Sequence, residues 1–151
     1  MSNPKRINRV VTEHAAIEII EDGMTIAIGE PYPMALIRQL IRRRVNDLTV
    51  ICSGVALDML IAAGCVKKVI CYYAGGGTGI PVAPSFRHAA ETGAIDIWEC
   101  EEGILCAGLE ASAKDLPYLP WRGGVGTSIP ELNPELKIIE DPFEGQTLIA
   151  V

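Results

Sequence analysis

Four short apolar runs, Met24–Ile28, Leu48–Cys52, Val69–Tyr73 and Ile95–Trp98, are each followed by a stretch whose apolar residues recur at helical spacing. The runs are rich in β-branched residues, are bounded by Gly, Asp or Lys, and lack the polar alternation of a strand with one wet face. They therefore predict buried parallel strands. The intervening helices are read as Pro33–Arg44, Val55–Ala63, Ser85–Thr92 and Glu101–Lys114, with one more, Thr12–Glu21, ahead of the first strand. Regular alternation of this kind predicts an α/β fold in one domain over residues 1–151, a mainly parallel sheet with helices on both faces. Asp22-Gly23, Asn46-Asp47, Gly64 and Gly93 supply the stops between elements.

After Lys114 the texture changes. Pro117, Pro120, Pro130, Pro134 and Pro142 break the chain into short extended pieces, of which Leu136–Ile139 and Thr147–Val151 are the expected strands. The apolar ending Leu148-Ile-Ala-Val151 suggests either an edge strand or a position inside a larger sheet.

Composition narrows the function. Aromatic residues are 5% of the chain, so Val, Ile, Leu and Ala must fill the core. No run approaches the roughly 18 apolar residues of a membrane span, and the start Met1-Ser-Asn-Pro-Lys-Arg6 has no apolar signal segment, so a cytoplasmic protein without a membrane is expected. The net charge of −6 argues against a nucleic-acid partner. The basic cluster Arg38, Arg42, Arg43 and Arg44 reads as a solvated helix end, with a docking surface as the alternative. Five cysteines, at positions 52, 65, 71, 100 and 106, are an odd number without a Cys-x-x-Cys pair and read as reduced core thiols. His14 and His88 stand alone, so no metal is expected.

Open parallel sheets bind ligands beyond the carboxyl ends of their strands. Four loops there carry candidate chemistry. In Gly29-Glu-Pro-Tyr-Pro-Met34, Gly29 permits a sharp turn and Pro33 can open a helix whose free N–H groups suit a carboxylate or phosphate; an ordinary strand-to-helix turn is the other reading. Ala74-Gly-Gly-Gly-Thr-Gly-Ile-Pro81, with Gly75, Gly76, Gly77 and Thr78, reads as a ligand-contacting loop or a plain connection, and matches neither nucleotide-loop pattern. Trp98-Glu-Cys-Glu-Glu102 places carboxylates at the sheet edge, where Glu102 can orient a substrate or move a proton, or simply complement the helix dipole. Cys100 has no histidine near it in sequence to activate it. Trp121-Arg-Gly-Gly-Val-Gly-Thr-Ser128 gathers Arg122, Gly123 and two hydroxyls in a pattern that suits an anion, with an inter-element salt bridge as the alternative for Arg122.

Taken in order, Asp22-Gly-Met-Thr-Ile-Ala-Ile-Gly29, Pro33-Met-Ala-Leu-Ile-Arg38, Asp47-Leu-Thr-Val50 and Gly64-Cys-Val-Lys-Lys-Val69 closely resemble the A (alpha) subunit of class I coenzyme A transferases. Phe86-Arg-His-Ala-Ala-Glu-Thr-Gly93, Glu102-Gly-Ile-Leu105, Gly108-Leu-Glu-Ala111, Leu116-Pro-Tyr-Leu-Pro120 and Asp141-Pro-Phe143 resemble the glutaconate CoA-transferase A branch. The resemblance covers nearly the whole chain and implies the N-terminal half of such a subunit, since family A chains run on well past Thr147-Leu-Ile-Ala-Val151. It implies coenzyme A or an acyl-CoA as substrate, a small carboxylic acid as the second one, and a hetero-oligomer with a B subunit that supplies the nucleophilic glutamate. This chain would shape the acyl pocket, with Glu102 aligned to an acidic residue of the A-chain pattern as catalytic candidate. Gly29, Glu30, Gly75, Gly76, Gly77, Thr78, Arg122 and Gly123 are the substrate-binding candidates. Where many A chains have a second glycine, this one has Glu30-Pro-Tyr-Pro33, which bears on substrate choice. Three other readings fit the same residues: a CoA-dependent ring-opening hydrolase subunit, a non-catalytic acyl-CoA or carboxylate-binding remnant, and a hydrolase or isomerase on the same scaffold.

Overall fold

The computed structural model describes residues 10–75, 79 and 81–151. Strands β1 (Thr25–Ala27), β2 (Leu48–Ile51), β3 (Val66–Cys71) and β4 (Asp96–Glu99) form a parallel sheet in the order β1-β2-β3-β4. The crossovers are α2 (Met34–Arg43), α3 (Gly54–Ala62) and α4 (Pro84–Thr92), after a short α1 (Glu13–Ala16). Parallel strands laid side by side in chain order carry successive crossover helices on one side of the sheet when the crossovers share the usual hand, and α2, α3 and α4 pack in succession. The four strand-helix units expected from the sequence are all present.

Side chains alternate across a strand, so register decides what each face carries. Ile26, Val50, Val69 and Ile97 form one row. Val50 and Val69 are fully buried beneath Ile37, Leu57 and Leu60 of the helices, and each such side chain contributes about 1.5–3 kcal/mol by leaving water. The next row, Ala27, Ile51, Ile70 and Trp98, points to the opposite face. There Trp98 packs into a second cluster around Cys100, Ile104, Leu136 and Ile149. Ile104 belongs to α5 (Glu102–Ala113), so that helix serves the far side of the sheet.

Local boundaries differ from expectation for identifiable reasons. Helix α1 stops at Ala16 rather than Glu21: the next residues continue in single turns such as Ile20 N to the Ile17 carbonyl at 3.0 Å, and the carbonyls of Ile17 and Ile20 also accept from the Arg43 guanidinium. Arg43 is thus tied to a neighbouring segment and is not a merely solvated helix end. Strand β3 begins three residues earlier than the apolar run suggests, since the half-buried face tolerates Lys68 and the exposed one Lys67. Helix α4 has no cap of its own; Asp58 of α3 accepts from Phe86 N at 2.9 Å and Ser85 Oγ at 3.2 Å.

The last part of the chain forms a separate antiparallel sheet of β5 (Pro120–Trp121), β6 (Lys137–Glu140) and β7 (Thr147–Ala150), with α6 (Ile129–Leu132) between β5 and β6. Its order is β5-β7-β6, so the terminal strand is central and not an edge. Strand β5 is too short, and too encumbered by Pro120, to show in the sequence. Buried Asn133 fastens this sheet to the first, donating from Nδ2 to the Glu99 carbonyl at 2.7 Å and the Ile129 carbonyl at 2.9 Å. Trp98 Nε1 adds a bond to Glu135 at 2.5 Å. All five cysteines are free; 52, 65, 71 and 100 are buried as expected, but Cys106 is on the surface, on the outer side of α5.

Candidate functional site

At the carboxyl ends of β1 and β2 the sheet opens into a cleft of about 390 Å³, within the range that takes a small organic ligand. Its floor is the far-face row, represented by Ala27 and Ile51; the strand-end segments Ile28-Gly-Glu30 and Cys52-Ser53 form one rim, and Tyr72, Leu105 and Leu109 the other. Helical geometry places Leu105 and Leu109 on one stripe of α5, and Glu102 lies on that stripe one turn earlier. The Glu102 carboxylate is exposed and makes no hydrogen bond or ion pair among the described residues. A larger hollow, about 590 Å³, lies between α3 and α4 beside Val66 and Ile95, where β3 and β4 begin. That is the end of an open parallel sheet away from its ligand crevice.

Polar groups collect on the first rim. The Tyr32 hydroxyl donates to Glu30 Oε1 at 2.5 Å and lies 3.4 Å from Ser53 Oγ. It comes that close because Gly54, at φ +64°, opens α3 without a side chain; a Cβ there would sit 2.5 Å from the phenol oxygen. Burial, followed by the hydrogen bond to Glu30, pushes the Tyr32 phenol up from its ordinary value, so it keeps its proton and is the donor in that bond. The peptide between Glu30 and Pro31 is cis. Burial pushes the Cys52 thiol up to about 11 and the Cys100 thiol up to about 12, so both are neutral at physiological pH and poor nucleophiles.

A second polar group stands at the start of α5. Glu101 is the N-cap: Oε2 accepts from Ile104 N at 3.2 Å and from Trp121 Nε1 at 2.8 Å. The backbone N–H of Gly103 is the chief influence holding this carboxyl below the ordinary glutamate range; partial burial opposes it, and the Trp121 and Ile104 donors assist. Gly103 and Gly123 have no room for side chains, since a Cβ would lie 2.1 Å from the Trp121 ring in the first case and 2.6 Å from Glu101 Oε2 in the second.

The structure therefore brings Gly29 and Glu30 together in the cleft and sets Gly123, with Arg122 before it, beside Glu101 at the start of α5. Gly29 has no positive φ, so its use is space rather than an unusual backbone; nothing lies within 4 Å of where its Cβ would be. Gly75 is buried under the Tyr73 ring, whose hydroxyl donates to the Pro81 carbonyl at 3.0 Å. Gly76, Gly77 and Thr78 lie outside the described residues. Arg122 is exposed and has no ion-pair partner among the described residues. Thr127, one of the hydroxyls of that loop, bonds the Gly124 carbonyl at 2.7 Å and the Ile129 N–H at 3.2 Å. Among the described residues no group of three His, Cys, Asp or Glu side chains is placed to hold a metal ion, and no helix is long and apolar enough to cross a membrane.

Sequence reasoning passed over Tyr32, Cys52, Ser53, Tyr72, Leu105 and Leu109. A signal for Cys52-Ser53 was present: that pair immediately follows the second strand, at the same edge as the four candidate loops. Leu105 and Leu109 gave none, because a helix that closes a cleft has the same periodicity as one that closes a core.

The sequence model of the family described as Coenzyme A transferase matches residues 10–151. The cholesterol ring-cleaving hydrolase IpdA subunit of Mycobacterium tuberculosis is 39% identical over 149 residues, covering 90% of this chain and 50% of that protein. The A subunit of 3-oxoadipate CoA-transferase from Pseudomonas knackmussii is 32% identical over 151 residues, covering 94% of this chain and 53% of that protein. The crystal structure of glutaconate coenzyme A-transferase from Acidaminococcus fermentans matches with a TM-score of 0.85 at 26% identity, over 95% of this chain and 53% of that one. The chain thus spans about half the length of the curated relatives it matches.

Proposed function

Because the chain belongs to the coenzyme A transferase family, we propose that it is the N-terminal portion of an A-type subunit in a two-chain CoA transferase, which moves CoA between an acyl-CoA and a carboxylic acid in the cytoplasm. The observation that carries this reading is the cleft at the carboxyl ends of β1 and β2, closed by the α5 stripe that holds Glu102, Leu105 and Leu109.

On this reading the partner chain's glutamate attacks the thioester carbonyl, giving a mixed anhydride and releasing CoA thiolate. The thiolate returns to the glutamyl carbonyl, which frees the first acid and leaves a glutamyl-CoA thioester; the incoming carboxylate then reverses the sequence. The chain described above holds the acyl group. Ala27, Ile51, Leu105 and Leu109 bury its apolar part, Gly29 leaves room for it, and the loop Gly75–Thr78, with Arg122 and Gly123 at the start of α5, contacts the CoA side. Glu102 faces the reacting carbonyl from the rim.

A second reading, a CoA-dependent ring-opening hydrolase, is favoured by one observation: a ring-cleaving hydrolase subunit is a relative at 39% identity, and Glu102 presents a carboxylate that no described residue engages. In that case Glu102 is the base that activates water.

The experiment is CoA transfer from acetyl-CoA to a panel of carboxylic acids, with the purified chain alone and then with the B-type chain encoded beside it. Transfer in the mixture alone supports the transferase. Hydrolytic opening of the ring in a cyclic acyl-CoA, read by mass as the gain of one water with the thioester intact, supports the hydrolase. Acyl-CoA binding without either reaction leaves a binding remnant and sinks both.

A further inference from the structure

The cleft is divided by polarity. Ala27, Ile28, Ile51, Leu105 and Leu109 give it apolar walls, and Glu30 is the one charged side chain among its lining residues. Glu30 Oε1 is taken by the Tyr32 hydroxyl. Its Oε2 has no donor among the described residues, and no lysine, arginine or histidine there lies within ion-pair distance of it. A carboxylate in this state has a free acceptor to offer and an uncompensated negative charge.

Both properties act on whatever lies against the apolar walls. A hydroxyl at the far end of an acyl chain can donate to Oε2. A second carboxylate in the same place meets a like charge, which the solvent reaching exposed Glu30 screens in part, and no cation among the described residues balances the pair. Neither does Tyr32 relieve it, since the phenol's one proton is already directed at Oε1.

On the transferase reading above, we infer that Glu30 is a specificity-determining residue: the cleft accepts acyl groups with an apolar body that end uncharged or in a hydroxyl, and rejects those that end in a second carboxylate. Tyr32 is a positioning residue in this device. It holds one oxygen of Glu30 and so points the other into the cleft.

The test is made on the chain assembled with its B-type partner, with butyryl-CoA, 4-hydroxybutyryl-CoA and succinyl-CoA as donors and acetate as acceptor. Wild-type kcat/KM should favour the first two over succinyl-CoA by about tenfold or more, and the preference should shrink as salt is raised from about 0.05 to 0.5 M. Glu30→Gln keeps the shape and removes the charge; it should cut the preference about tenfold, mainly by improving succinyl-CoA. Glu30→Ala should do the same for charge and in addition lose the advantage of 4-hydroxybutyryl-CoA over butyryl-CoA. Equal or better use of succinyl-CoA by the wild type, or a preference unmoved by salt and by both substitutions, overturns the inference while the transferase stands. Failure of the assembled protein to use any acyl-CoA overturns the transferase reading and this inference together.

Discussion

The indole N–H of Trp121 donates to Glu101 Oε2 at 2.8 Å, and this bond ties the first turn of α5 to the first strand of the second sheet. The same oxygen caps the helix through Ile104 N. One carboxylate therefore fixes both the direction of α5 and the loop that carries Arg122. Glu101→Ala should lower stability by about 1–2 kcal/mol in urea unfolding. A loss smaller than the error of the measurement would show that the cap is dispensable.

The pH dependence has a definite sign. The Glu101 carboxyl is held below its ordinary range in the folded chain. Its contribution is complete above the ordinary glutamate range and disappears as pH falls through the lowered value. Glu101→Gln should therefore lose stability less steeply on acidification than wild type, with the two curves converging at low pH. Parallel curves throughout the acid limb would contradict this.

Gly103 lies inside a helix, where alanine is ordinarily better by about 1 kcal/mol. Here the added Cβ would sit 2.1 Å from the Trp121 ring. Gly103→Ala should consequently destabilise, by about 1–3 kcal/mol. Combined with Trp121→Ala it should become neutral or stabilising. A double-mutant cycle measures this, and strictly additive effects would rule out the contact as the cause.

Thiol labelling separates the cysteines by environment. Cys106 is exposed, whereas Cys52, Cys65, Cys71 and Cys100 are buried, with burial pushing Cys52 and Cys71 up to about 11. Iodoacetamide at neutral pH should modify Cys106 in the native chain and all five positions after denaturation, as read by peptide mass mapping. Fast native labelling of Cys52 would mean that this rim of the cleft opens.

Glu102→Gln distinguishes the two readings of the site. Glu102 is exposed, so stability should change by no more than about 0.5 kcal/mol. In a transferase whose nucleophile comes from the partner chain, turnover should fall by less than about tenfold. A base that activates water should cost about 10²–10⁴-fold. Circular dichroism and kcat on the assembled protein give both numbers.

The parallel sheet was legible because β2 and β3 are buried on the face that α2, α3 and α4 cover, and burial leaves a local mark in the sequence; β1 and β4 carry apolar runs too, but Ile26 is only half-buried and Ile97 exposed. Thr147–Ala150 was legible for the same reason through Ile149, yet its place at the centre of an antiparallel sheet was not: Pro120-Trp121 and Lys137–Glu140 pair with it across long separations that no local pattern reports. The site follows the same division. Glu30 was visible as a departure after the first strand, but its bond to Tyr32 depends on Gly54, which arrives from another strand-helix unit. Glu101 and Glu102 are alike as letters; which one caps the helix and which one remains free is decided by Trp121.

The order β1-β2-β3-β4 also bears on how the chain reaches this state. Every strand of the first sheet joins the one synthesised just before it, so no strand has to be threaded between two that are already paired. Assembly can proceed outward from one edge as the polypeptide emerges from the ribosome, with loop closures that stay short at each step. Strand β7 is the opposite case: it enters between β5 and β6, so the second sheet closes only when the last of these residues has been made.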